Sequence, residues 1–181
     1  MIYSEIYIPL KDGRTALFRS PTARDAEEML TYLKTTAGET PYLLRTPEEC
    51  TMTLPEEEAF LEAAVNAEYD VMILCTVDGK LAGNCRIIRK NKAKNRHRGT
   101  VMIALRKDFW NLGIGTAMCE EMIALAKQWG LMQIELEVIE GNTRTMALYH
   151  KMGFEVTGFT PDAIQLEDGT LLKEFIMVKK L

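Results

Sequence analysis

Residues 99–139 constrain the fold of this chain more than any other stretch. "GTVMIALR" (99–106) reads as a strand, and "QIELEVI" (133–139) alternates as a second. Between them Ile114, Met118, Met122, Leu125 and Trp129 recur at helical spacing as one apolar stripe, and Gly130 follows as a natural C-cap. A strand–helix–strand unit with a crossover of this length favours a parallel strand pair. The chain must therefore build a sheet with at least one helix laid across it.

The remaining segments add antiparallel strands to that unit. "IYIPLKDGRTALFRS" (6–20) reads as a hairpin turning at Asp12-Gly13, and Asp78-Gly79-Lys80 joins "VMILCTV" (71–77) to "LAGNCRIIR" (81–89) as a second. Thr22 followed by Asp25 starts a helix carrying Ala26, Met29, Leu30 and Leu33, and Thr53 with Glu56 starts another. The segment 36–52, with two prolines, reads as irregular. "TRTMALYHKM" (143–152) is a short helix closed by Gly153; "FEVTGFT" and "LLKEFIMVKKL" are final strands around Asp168-Gly169. No repeat or low-complexity linker divides the chain, so residues 1–181 are expected to form one domain. Its expected class is α+β, a mixed sheet with helices on both faces.

"NLGIGTAM" (111–118) places two glycines between the strand and the helix of the crossover. A helix N-terminus offers unpaired N–H groups and a partial positive charge, which suits an anion. The triphosphate and dinucleotide motifs both fail here. No Gly-Lys-Ser/Thr follows, and Thr116-Ala117-Met118 stands where a third glycine would be needed. The glycines alone leave two readings open, a phosphate seat or a turn that only packs the helix onto the sheet.

Residues 138–154, "VIEGNTRTMALYHKMGF", add a second constellation. This stretch resembles the C-terminal signature of the GNAT superfamily of acetyl-CoA-dependent N-acetyltransferases, roughly V-x-x-x-N-x-x-A-x-x-L-Y-x-K-x-G-F. Val138, Asn142, Leu148, Tyr149, Lys151, Gly153 and Phe154 fall on it, and Thr145 stands at the usual alanine. Upstream, "IALRKDFWNLGIGTAM" is similar to the family's Q/R-x-x-G-x-G/A cofactor motif, with Gly113 and Gly115 matching and Trp110 in place of Gln/Arg. The resemblance implies an acyl-CoA N-acyltransferase fold: a mostly antiparallel central sheet with one parallel, splayed strand pair.

It also implies roles. Coenzyme A would place its pyrophosphate on the amides of Leu112, Gly113, Ile114, Gly115 and Thr116, and its pantetheine along Ile103, Ala104 and Leu105. A bulge on that strand would leave a backbone N–H near Leu105 for the thioester oxygen. Tyr149 occupies the general-acid position; a core tyrosine bonded to backbone is the structural alternative. Asn142 would cap the helix at Thr143 and contact the cofactor, and Lys151 and Arg144 would meet its phosphates. An amine of pKa near ~10 attacks only when neutral, so a base is needed. Many family members place a glutamate on the strand before the glycine loop, where "TVMIAL" has none. Glu137 is the candidate, projecting with Glu135 from the face opposite Ile134, Leu136 and Val138; a water chain is the alternative.

The family would build its acceptor wall from residues 30–55 and from a loop at 161–170. Tyr42, Leu43 and Leu44 beside Glu39, Glu48 and Glu49 suit an amine with some apolar surface or a polyamine. The cosubstrate is acetyl-CoA and the partner an amine-bearing acceptor, with a homodimer compatible with the family. Net charge −4 argues against nucleic acid, and the basic run "RKNKAKNRHR" (89–98) reads as a solvated hairpin loop. Cys50, Cys75, Cys85 and Cys119 form no CxxC pair and read as buried thiols, so no metal is expected. No apolar run approaches the ~20 residues of a membrane span and the N-terminus lacks a signal-peptide pattern, which makes a cytoplasmic protein the expectation. The competing readings are a non-catalytic acyl-CoA sensor and a transferase for a longer acyl group admitted near Met102, Ile103 and Leu136.

Overall fold

Two Asp-Gly turns set the first half of the sheet in the computed structural model, which describes residues 1–181. Gly13 (φ +88°) joins β1 (Ile6–Pro9) to β2 (Thr15–Arg19), and Asp78 (φ +51°) with Gly79 (φ +77°) joins β3 (Asp70–Val77) to β4 (Lys80–Arg89). Both central residues of the second turn lie at positive φ, the geometry that matches strand twist in a two-residue hairpin. Between the hairpins run α1 (Ala26–Glu39) and α2 (Leu54–Asn66). The Thr22 and Thr53 backbone N–H groups donate to Asp25 (2.7 Å) and Glu56 (2.8 Å), closing the expected capping boxes. The second half comprises β5 (Arg98–Leu105), α3 (Ile114–Gln128), β6 (Gln133–Ile139), α4 (Thr143–Lys151), β7 (Glu155–Gln165) and β8 (Leu171–Lys180).

These strands form one eight-stranded sheet in the order β1-β2-β3-β4-β5-β6-β8-β7, with β5 and β6 its parallel pair and every other pair antiparallel. Strand alternation gives each face its own core. Val71, Ile73, Cys85, Ile134, Leu136 and Val138 meet Ile114, Met118 and Met122 of α3 and Tyr149 of α4. On the other face Met72, Leu74 and Leu81 meet Ala26, Met29 and Tyr32 of α1 and Leu61 of α2. No helix is long and apolar enough to cross a membrane.

Four local expectations need correction. α1 runs through Thr36–Glu39, read above as irregular. Its threonines tolerate the helix because Thr35 and Thr36 donate back to the carbonyls of Thr31 (2.8 Å) and Tyr32 (2.9 Å). β7 continues to Gln165, which shortens the loop before β8; as an edge strand with a register shift between Thr160 and Ile164 it accommodates Pro161. Cys50 is half-buried, unlike the other three cysteines. Lastly, β5 has no bulge: its register with β4 is continuous from Gly83↔Leu105 to Arg89↔Gly99.

Candidate active site

The parallel pair opens in the middle of the sheet. β5 and β6 pair only at Arg98–Gln133, Gly99–Ile134 and Thr100–Glu135, then diverge. The Arg106 N–H donates to Ala82 on β4, and the His97 carbonyl accepts from Met132 on the β6 side. By strand alternation, even positions of β5 turn their backbone toward β4 and odd positions toward β6. Beyond the last pair, the N–H and C=O of Ile103 and the N–H of Leu105 therefore face the gap with no partner strand, while Ala104 turns its own groups toward β4. The Leu105 carbonyl is taken up by Trp110, whose Nε1–H donates to it at 3.0 Å. Splaying thus frees the N–H that a bulge was expected to free.

The glycine loop stands at the open end of this gap. Asn111 (φ +66°) and Gly113 (φ +98°) turn the chain so that α3 begins at Ile114. The first helical bond runs from the Ala117 N–H to the Gly113 carbonyl, which leaves the N–H groups of Ile114, Gly115 and Thr116 without an intrahelical acceptor. The two glycines serve different ends. Gly113 supplies a backbone conformation that L-residues avoid. At Gly115 a Cβ would lie 3.1 Å from Leu148 of α4 and 3.5 Å from Leu105 of β5, so this glycine brings the loop, β5 and α4 together.

Tyr149 follows Leu148 on α4 and is 4% exposed. Its ring centroid lies 5.6 Å from that of Phe154. No group of the chain bonds its hydroxyl, yet that oxygen is not among the sealed, unpartnered polar atoms. Burial raises the phenol above its ordinary value, so it stays protonated at neutral pH. Asn142 caps α4, its Oδ1 accepting from the Thr145 N–H at 3.3 Å, which leaves its amide N–H₂ unused by the cap. Arg144, in the first turn of α4, lies over the Trp110 ring with its guanidinium carbon 4.1 Å from the centroid. Lys151 is exposed in the last turn of α4, one turn beyond Leu148, the residue packed nearest Gly115.

The carboxylates of β6 separate by environment. Glu135 is bonded by Arg98 and paired with Lys90 at 3.3 Å, so it is an ion-pair partner rather than a solvated group, and its carboxyl is lowered overall although burial opposes this. Glu137 is exposed on the same face of β6. Glu174 of β8 lies diagonal to it across the ladder, since Ile139 faces Glu174 and Glu137 faces Ile176. Burial, and then the charge of Glu137, raise the Glu174 carboxyl. On α2, Glu57 is buried with both oxygens unpartnered, and burial raises it too.

Two residues that the sequence reading missed, Lys11 and Glu174, come from distant segments. Lys11, in the β1–β2 turn, lies beside Gly113, and its N–H donates to the Leu112 carbonyl at 3.2 Å. Tyr42, between α1 and α2, donates to the Gly141 carbonyl at 3.0 Å, so the expected acceptor wall reaches the β6–α4 turn. Glu174 is the second. No local pattern marks Lys11 or Glu174; only tertiary packing and strand register bring them in.

A family model described as the acetyltransferase (GNAT) family matches residues 37–154. Among characterised relatives, the L-amino acid N-acetyltransferase AaaT of Escherichia coli is 24% identical over 126 residues, covering 69% of this chain and 77% of that protein. An uncharacterised N-acetyltransferase of Mycobacterium tuberculosis, Rv2669, is 25% identical over 127 residues, covering 66% of this chain and 80% of that protein. A GNAT-family acetyltransferase from Streptococcus pneumoniae has a similar structure, with TM-score 0.85, 28% identity, and 92% and 99% of the two chains covered. The fold also matches yncA of Salmonella typhimurium, solved with its cofactor acetyl-CoA, at TM-score 0.76 and 17% identity over 91% and 92% of the chains.

Proposed function

The chain belongs to the GNAT family of acetyltransferases and is an acyltransferase, and from that premise we propose that residues 1–181 form one domain transferring acetyl from acetyl-CoA to a primary amine. The observation that carries this reading is the splayed β5–β6 pair with unpartnered backbone groups beside a glycine loop whose first helical N–H groups are free. Those features fit coenzyme A. The edge of β5, through Ile103 and Leu105, suits the amides of pantetheine, and the N–H groups of the 112–116 loop suit a pyrophosphate. Lys11 and Arg144 add positive charge near the loop, the Asn142 amide supplies a donor, and Lys151, one turn beyond Leu148, adds a further cation for a phosphate.

Acetyl-CoA supplies an activated acyl carbon, and the chain supplies what surrounds it. The Leu105 N–H donates to the thioester oxygen as that oxygen gains charge. Tyr149, kept protonated by burial, donates to the sulfur that leaves. Glu137, with Glu174 beside it, attracts the ammonium and accepts its proton directly or through water. One C–N bond forms and one C–S bond breaks; of the two protons the nitrogen loses, the first goes to solvent and the second, released as the tetrahedral intermediate collapses, replaces the proton that Tyr149 gives to the sulfur. The amine enters from the α1–α2 face, under the segment that Tyr42 ties to Gly141.

The test is thiol release from acetyl-CoA across L-amino acids, polyamines, aminoglycosides and peptide amines, with products read by mass spectrometry. Release that depends on one added amine class supports the transferase and names the acceptor; tight binding with no release in any arm favours an acyl-CoA sensor. The proton path has its own test. Glu137→Gln should flatten the acidic limb of the pH profile of kcat/KM. Any residual limb should fall at lower pH, because Glu174 loses the neighbouring negative charge that helps hold its proton. A limb unchanged in position and steepness would assign the proton elsewhere.

A further inference from the structure

Tyr32 of α1 is 1% exposed and points its hydroxyl at the sheet. The phenol oxygen lies 2.9 Å from the Ala104 carbonyl oxygen and 2.9 Å from Oδ1 of Asn84 on β4. A phenol has one proton to give. A backbone carbonyl can only accept, whereas a side-chain amide presents either its oxygen or its N–H₂ according to how it is turned. Both contacts hold together only if Tyr32 donates to Ala104 while Asn84, with its amide reversed, donates to Tyr32. The bonds then run in one direction, from Asn84 through Tyr32 to Ala104.

The Ala104 carbonyl and the Leu105 N–H belong to the same planar peptide. Its carbonyl faces β4, where the ladder pairs Ala104 with Asn84, and its N–H faces the gap between β5 and β6. The ladder already satisfies this carbonyl, and Asn84 alone could satisfy the phenol. The additional bond from Tyr32 therefore is not needed to keep a buried group from being orphaned. Its chemical consequence is to draw electron density toward the carbonyl oxygen, which makes the N–H at the other end of the peptide a better donor; chained hydrogen bonds reinforce one another by roughly 10–30% each.

We infer that Tyr32 is a positioning residue for acyl transfer, holding and polarising the Ala104–Leu105 peptide so that the Leu105 N–H is presented to the thioester oxygen. This rests on the role given to Leu105 above. Two further observations agree with it. Burial keeps the Tyr32 phenol protonated, so it remains a donor throughout the working pH range. Gly83 leaves no spare room at the same peptide, since a Cβ there would stand 2.5 Å from the Ala104 oxygen.

Tyr32→Phe removes the hydroxyl and keeps the ring. In ligand-free protein, the carbonyl carbon of Ala104 and the amide nitrogen of Leu105 should both move upfield by NMR. With [1-¹³C]acetyl-CoA bound and no acceptor present, the thioester carbonyl stretch should lie below its position in water in the wild type and return toward it in the variant. The value of kcat should fall about tenfold, with the KM for acetyl-CoA within about twofold. A purely structural tyrosine would lower the melting temperature without moving the carbonyl band. Asn84→Ala, at a half-buried position, should shift the same band part of the way and decides the matter if Tyr32→Phe does not fold. A band lowered equally in the wild type and the folded variants overturns the role of Tyr32 and leaves Leu105 in place. A band not lowered in the wild type overturns the Leu105 donor, and this inference with it.

Discussion

Tyr149→Phe is expected to lower kcat about 100-fold while leaving the Kd for acetyl-CoA within about twofold, the lower end of what a positioned proton donor contributes. The substitution removes one oxygen and preserves the ring that packs against Phe154. Because no group of the chain bonds the hydroxyl, its loss leaves no stranded partner, and the melting temperature should hold or rise slightly. The expectation turns on matching acid to leaving group. A thiol of pKa near ~8.5 leaves as a thiolate that a nearby phenol can stabilise by hydrogen bonding even when the phenol is the weaker acid. Burial raises Tyr149 and so guarantees that the proton is present, at the cost of making full transfer less favourable. Stopped-flow thiol release, with isothermal titration for cofactor affinity, separates the two quantities. Turnover unchanged in the variant, with chemistry shown to limit the rate, would remove Tyr149 from the mechanism.

What the sequence disclosed about this site follows the range of the forces involved. The glycine turn, the capping boxes at Thr22 and Thr53, and the Asn142 cap are local, and each lay within a few residues of its partners. The βαβ unit was legible because the apolar stripe of α3 has one period and its flanking strands another. The extent of α1 was hidden because Thr35 and Thr36 are poor helix formers in isolation. Their hydroxyls bond backward along the helix, and Ala37 is buried. β7 was hidden by Pro161, which an edge strand admits and a central one would not. The expected bulge on β5 failed for a different reason: it was carried over from resemblance, and no residue in "TVMIAL" encodes it. Lys11, Tyr42 and Glu174 reach the site only through tertiary packing. Tyr42 meets Gly141 across 99 residues of chain, a separation at which side-chain pattern carries no signal.

Gly83→Ala should be the most damaging single-methyl change near the site, through contact with backbone rather than through φ. Gly83 lies on β4 directly opposite Leu105, and a Cβ there would stand 2.5 Å from the Ala104 carbonyl oxygen and against a methyl of Leu105. The leucine methyl can swing away by changing rotamer. The carbonyl oxygen cannot, because the ladder to β4 and the Tyr32 hydroxyl both hold it. Relief therefore requires β4 and β5 to part at the end of β5 where the splay begins. Overpacking of this kind costs about 1–3 kcal/mol, which a melting curve should register as a fall of several degrees. The catalytic loss should be out of proportion to it. The peptide that must move is the one whose N–H faces the gap, and a displacement of about 1 Å at such a donor can cost a factor of about 100 in kcat. Acetyl-CoA binding should weaken less, since the glycine loop is also held from outside β5, through Lys11 and Leu148. Melting temperature, Kd and kcat measured on the same preparation distinguish this pattern from general unfolding, in which all three fail together. A variant with wild-type melting and turnover would mean that β4 yields at Gly83 without disturbing Leu105, and the rigidity assigned to this peptide would have to be abandoned.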